Sequence, residues 1–211
     1  IEGLNLKDKV VCGDAMHTQR ALSACILGRG GHYIWFLKEN QPTVLADVEQ
    51  FFQPPQRGAV WPLPQLPQTV AQSTQKRHGR LDQRTLTLMV DESGFLDWPG
   101  VRQVFKLQRK SLHLRTGHES CETIYGLTSC DPKTVDAEQL LVWTRNYWGI
   151  ENGLHYRRDV TLREDDTRIS QPALARVMAI INNFLVGLTA NLGYSNLASA
   201  RRIFDARIAA Q

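Results

Sequence analysis

The sequence predicts an α/β fold: a parallel-strand unit, then an antiparallel β-rich block, then a helical end. Three observations predict it. Short apolar runs alternate with helix-like groupings over residues 1–53, a strand, helix, strand, helix order that calls for parallel strands. The apolar period then changes to two in "RTLTLMV", "RQVFKLQRK" and "CETIYGLTS", as in strands with unlike faces. From about Val135 onward the pattern is helical again.

In order, "KVVCGD" reads as a short strand ending at Gly13, with Asp14 at its exit. Ala15 to Leu27 groups Ala21, Leu22, Ala24, Cys25 and Ile26 as a helix would, and stops at the glycines 28, 30 and 31. His32 to Leu37 is a second strand, ended by Asn40 and Pro42, and Val44 to Phe52 a second helix. Residues 53–75 are rich in Pro and Gln and read as an exposed loop. The three period-two segments then form an inserted antiparallel lobe. "QPALARVMAIINNFLVGLTANLG" is a strongly amphipathic or buried helix. The expected division is 1–53, 54–133 and 134–211.

A chain of 211 residues can bury a real core, and 42% hydrophobic with 22% charged residues argues against disorder. A net charge of +4 and a pI near 9.0 suit a nucleic-acid partner without requiring one. The four cysteines, Cys12, Cys25, Cys121 and Cys130, form no C-x-x-C pair, which argues against a zinc cage or redox motif and for a reducing cytoplasm. No run reads as a bilayer span or signal peptide. A nucleophile elbow, a P-loop and a dinucleotide fingerprint are likewise absent, which leaves little support for a small-substrate hydrolase.

Two carboxylates stand out. Asp14, at the C-terminal end of a parallel strand, lies where α/β sheets bind ligands, although Asp before a helix also serves as an N-cap. Glu151 falls on a mostly apolar helical face with Leu140, Thr144, Tyr147, Trp148, Leu154, His155 and Arg158. An ionised Glu there needs a partner: an ion pair with Arg145 or Arg158, or a metal ion held jointly with Asp14. His155 makes E-x-x-x-H with Glu151, a possible ligand spacing or a core histidine. The "REDD" run, Arg163 to Asp166, offers more carboxylates or a solvated loop. Basic clusters at Lys76–Arg80, Arg109–Lys110 and Arg157–Arg158 suit phosphate contacts or surface solvation.

Seven stretches resemble the H-repeat-associated transposases, a branch of the DDE insertion-sequence transposases. They are "GDAMHTQ", "GGHYIWFLKENQPT", "HGR" with "RT" after it, "DWPGVRQVFKL", "ETIYGLTS", "YWGIENGLHYRRDVTLREDDTRI" and "VMAIINNFLVGL", in colinear order over almost the whole chain. The resemblance implies an RNase H-like core with a β-rich insertion before the last catalytic helix. It implies a Mg²⁺- or Mn²⁺-dependent endonuclease activity, two ions in the intact enzyme, that cuts DNA and transfers strands in transposition. It matches Asp14 and Glu151 to the second and third acidic positions, with Tyr147, Trp148 and His155 supporting the site. Arg158, seven residues after Glu151, falls where relatives carry a basic residue contacting DNA, and Lys38, Asn40, His78 and Arg80 are further DNA or support positions. A homo-oligomer on DNA in the bacterial cytoplasm, with no membrane partner, is implied as well.

One departure matters. The family's first acidic residue belongs on an earlier strand, yet only thirteen residues precede Asp14, too few for the intervening strands. The core is therefore expected to be incomplete at its N-terminus, with an exposed sheet edge and marginal stability. The competing expectation is a truncated, inactive remnant with at most DNA binding.

Overall fold

The computed structural model describes residues 3–53, 67–77, 79–92, 94–150, 157–164, 166–194 and 196–208. The chain divides into two compact units, Ile1–Thr144 and Arg145–Gln211. The α/β class is as expected.

The first unit is built on one six-stranded mixed sheet. Its elements run β1 (Val10–Gly13), a 3-10 turn (Ala15–His17), α1 (Arg20–Gly28), β2 (His32–Leu37), α2 (Pro42–Phe51), then β3 (Gln68–Arg77), β4 (Arg80–Val90), β5 (Gln103–His113) and β6 (Glu119–Thr128). Strand order is β1-β2-β6-β5-β4-β3. β1 and β2 are parallel, with Gly13 opposite Trp35, and all other pairs are antiparallel. The antiparallel strands thus continue the sheet of β1 and β2 through the β2–β6 pair, and β1 is one edge.

Register gives this sheet an asymmetric outline. Leu37, the last residue of β2, pairs with Tyr125, which pairs with Lys106. Beyond that level β5 and β6 make six further residue pairs, Leu107↔Ile124 to Leu112↔Glu119. At about 3.4 Å per residue, the β3–β4 and β5–β6 hairpins project roughly 20 Å past the C-terminal ends of β1 and β2.

β2, "HYIWFL", is apolar on both faces because both faces are covered. On one, Tyr33, Trp35 and Leu37 pack with Ile26 of α1, Val48 of α2, Met89, Val104 and Leu127. The centre of this layer is polar: the buried Ser23 hydroxyl accepts the indole N–H of Trp35 at 2.8 Å and of Trp98 at 3.1 Å, and donates to the Gln19 carbonyl at 2.9 Å. One donor and two acceptor sites are all used. On the other face Phe36 meets Phe105 edge-to-face at 5.8 Å.

Two sequence expectations need correction. β3 occupies part of the stretch expected to be loop: "QTVAQSTQKR" has little apolar signal because it is an edge strand, of whose described side chains only Ala71 is buried, and its pairing with β4 is carried by backbone hydrogen bonds. The expected helix from Ala15 is split. After the 3-10 turn, Gln19 has extended backbone angles (φ −134°, ψ 139°), and α1 begins at Arg20.

Helix α3 (Ala137–Ile150) passes from the first unit into the second, which also holds a π-helical turn (Arg157–Thr161), α4 (Pro172–Asn191) and α5 (Leu197–Ile208). α4 was expected to bury or face-segregate its apolar residues, yet Val177, Ile180, Ile181, Phe184 and Leu188 are exposed and only Asn182, Val186 and Thr189 are buried. By length and composition it is also apolar enough to cross a bilayer, contrary to the sequence reading; Arg176 is its one charged residue.

Candidate functional site

The site grows from the C-terminal edge of β1 and β2. Gly13 ends β1 under the ring of Trp35: a Cβ there would lie 2.4 Å from Trp35 Cζ3 and 2.9 Å from His17 Cβ. The missing side chain lets the next turn fold back over the strand end. Asp14 follows in extended conformation, and the 3-10 turn after it, with three residues per turn, sets residues 14 and 17 on one side.

That turn is tied to the loop after β2. The buried Thr18 hydroxyl donates to the Phe36 carbonyl at 2.9 Å, with the Asp14 carbonyl at 3.2 Å. Asn40 donates its amide to the Ala15 carbonyl at 2.7 Å, and Gln41 donates its amide to the Thr18 carbonyl at 2.9 Å. Asp14, Lys38 and Asn40 are therefore brought to one edge by adjacent strands.

Asp14 makes no capping hydrogen bond to the turn. Its Oδ1 lies 2.7 Å from His17 Nδ1, and the two side chains are 44% and 56% exposed. An ionised carboxylate only accepts, so Nδ1 carries the proton in this contact. Partial burial pushes the Asp14 carboxyl up, but the hydrogen bond and charge of His17, with the nearby backbone N–H groups of His17 and Met16, outweigh it and hold the group below the usual aspartate range.

Lys38 is exposed directly after β2. Arg80 is exposed at the start of β4, opposite Arg77, at the tip of a projecting hairpin. In the second unit, Arg158 donates Nε to Glu164 Oε2 at 2.6 Å and its NH2 group to Oε1, while Asn182 lies 3.4 Å from Oε2. Glu164 of the "REDD" run is thus a partly buried, paired acceptor, held below the ordinary glutamate range first by the Arg158 hydrogen bond. On α3, Leu140 and Thr144 are buried, and Tyr147 and Trp148 half-buried, which agrees with one apolar face. Glu151, His155 and His78 lie outside the described residues.

Among the described residues no three His, Cys, Asp or Glu side chains gather to hold a metal ion. Asp14 fits one position of a Mg²⁺ site, since that ion is held by one or two carboxylates together with water and substrate phosphate oxygens. Burial, then the neighbouring Cys130, pushes the Cys12 thiol up to about 11, which disfavours its thiolate. A cleft of about 530 Å³ opens between the starts of α1 and α2, where Arg20 lies on Trp98 and pairs with Asp97 at 2.7 Å.

No known family profile matches the chain. Over 198 residues, 89% of the chain, it is 27% identical to the "H repeat-associated putative transposase YhhI" of Escherichia coli K12. The resemblance read from the motifs is borne out. The "Putative protein YbfL" of the same organism is 28% identical over the same extent. The chain spans about half the length of these curated relatives, 49% of each.

Sequence reasoning missed His17, Thr18 and Gln41. The signal was local: "HT" stands three and four residues after Asp14, within reach of one turn.

Proposed function

We propose that the protein is a DDE-type transposase component in which Asp14 and Glu151 are the metal-bearing carboxylates of an RNase H-like site that cuts and joins DNA. The observation that carries this reading is the exposed Asp14 carboxylate at the end of a parallel strand, in a chain similar over 89% of its length to a protein named as a transposase. Ends of parallel strands are where α/β sheets present ligand-binding groups.

In this reading Asp14 binds the cation and orients it toward the scissile phosphodiester, while Thr18, Asn40 and Gln41 keep its turn fixed to the sheet. A bound divalent ion would stabilise charge on the phosphate and activate a water or 3′-hydroxyl for in-line attack. Lys38, exposed at the same edge, supplies a phosphate contact. The projecting hairpins carry Lys76, Arg80, Arg109 and Lys110 beyond that edge, a basic extension long enough to follow a DNA backbone. Arg158 is held by Glu164 and would meet DNA with its orientation already set. On this reading the protein works in the bacterial cytoplasm, as an oligomer on DNA.

The test is strand cleavage of a labelled duplex by the native full-length protein with Mg²⁺. Asp14→Asn and Glu151→Gln should each abolish cleavage; full activity in either would overturn the assignment. A second reading, a DNA-binding remnant without catalysis, needs only the basic residues of the projecting hairpins. Salt-sensitive duplex binding with no cleavage under any divalent cation would select it.

A further inference from the structure

We infer that His17 is the positioning residue of the Asp14 carboxylate, fixing its orientation for a divalent cation; this rests on the metal-site reading above. Three independent constraints place the imidazole. The 3-10 turn puts residues 14 and 17 on one side. Gly13 leaves its missing Cβ position only 2.9 Å from His17 Cβ, so the turn is seated against the strand end. Asn40 and Thr18 fasten the turn from the β2 side. With these in place, Nδ1 meets Oδ1 at 2.7 Å.

The contact uses one lone pair of a carboxylate that offers about four, so it restricts rotation without consuming the group. Ligating carboxylates are commonly oriented in this way, and loss of such a partner weakens metal affinity about 10–100-fold. Because the pair is half exposed, its contribution lies in orientation rather than in stability. The imidazole acts through its N–H alone, so an asparagine, whose amide N–H reaches a similar position, should replace it. A proton-transfer or direct-ligand role would not survive that exchange.

The experiment is Mn²⁺ binding to the full chain, followed by loss of the free-ion paramagnetic resonance signal, for wild type, Asp14→Asn, His17→Ala and His17→Asn. Thermal melts identify variants that fail to fold, and His17→Asn carries the test where His17→Ala does. The expected result is an Asp14-dependent site, weakened about 10–100-fold in His17→Ala and kept within about threefold of wild type in His17→Asn. Asp14-dependent binding that is unchanged in His17→Ala, or equally weak in both His17 variants, overturns the positioning role alone. Identical binding by wild type and Asp14→Asn overturns the metal-site reading and this inference with it.

Discussion

Asn40 donates its side-chain amide to the backbone carbonyl of Ala15 at 2.7 Å, across 25 residues of sequence. A residue that sequence resemblance offers as a DNA contact therefore also spans the two parallel strands and holds the Asp14 turn. Asn40→Ala should lower stability by about 0.5–1.5 kcal/mol, the worth of one neutral hydrogen bond. The loss should be local, seen as faster amide hydrogen exchange at Met16 to Thr18 with little change in β5. Uniform acceleration across the sheet would show that the bond is not local in effect.

Ser23 predicts a larger cost. Replacing it by Ala leaves the indole N–H groups of Trp35 and Trp98 without their acceptor in a buried layer. Each stranded donor costs about 1–3 kcal/mol, so Ser23→Ala should destabilise by about 2–6 kcal/mol in chemical denaturation. Ser23→Thr keeps the oxygen and should recover part of that loss.

Gly13→Ala puts a methyl group 2.4 Å from Trp35 Cζ3 and 2.9 Å from His17 Cβ. Trp35 is fully buried and cannot swing aside, so the turn must yield. Overpacking of this kind costs about 1–3 kcal/mol. The chemical shifts of His17 should change with it, and unchanged shifts would show that the turn is not seated on Gly13.

The Arg158–Glu164 pair sets a pH dependence in the second unit. The folded-state Glu164 carboxyl is held below the ordinary value of 4.5, first by the Arg158 hydrogen bond. A depressed carboxyl adds stability above its unfolded value, and that stability is lost as pH falls through the folded midpoint. Carboxyl titration by NMR should therefore place Glu164 below exposed glutamates, and Glu164→Gln should remove that part of the acid dependence of unfolding.

If the projecting hairpins follow a DNA backbone, neutralising Lys76, Arg80 and Lys110 together should weaken duplex binding equally for all sequences. The slope of log affinity against log salt should become shallower by about 2–3, at roughly 0.9 per lost phosphate contact. An unchanged slope would remove the hairpins from the interface.

Much of this was legible in the sequence where a segment's own chemistry decides its structure. β2 announces itself because a strand buried on both faces must be apolar throughout, and the Asp14 position follows from where β1 stops. β3 was not legible, since an edge strand of Gln, Ser and Thr owes its conformation to β4 and carries little pattern of its own. The break before α1 was hidden for a similar reason: it is made by Thr18 and Asn40 bonding to partners outside the helix. The Arg158–Glu164 pair joins two residues of charged runs, and runs of charge do not reveal which members pair. Exposure of the apolar face of α4 lies outside what periodicity can tell.

The most direct measurement is metal-directed backbone cleavage, with Fe²⁺ and peroxide in place of Mg²⁺ on the native full-length protein. Cuts are expected in two segments, around Asp14 and around Glu151, both suppressed by excess Mg²⁺ and both lost in Asp14→Asn. Cuts at neither segment, or cuts that persist unchanged in Asp14→Asn, would contradict a metal site built on these two carboxylates.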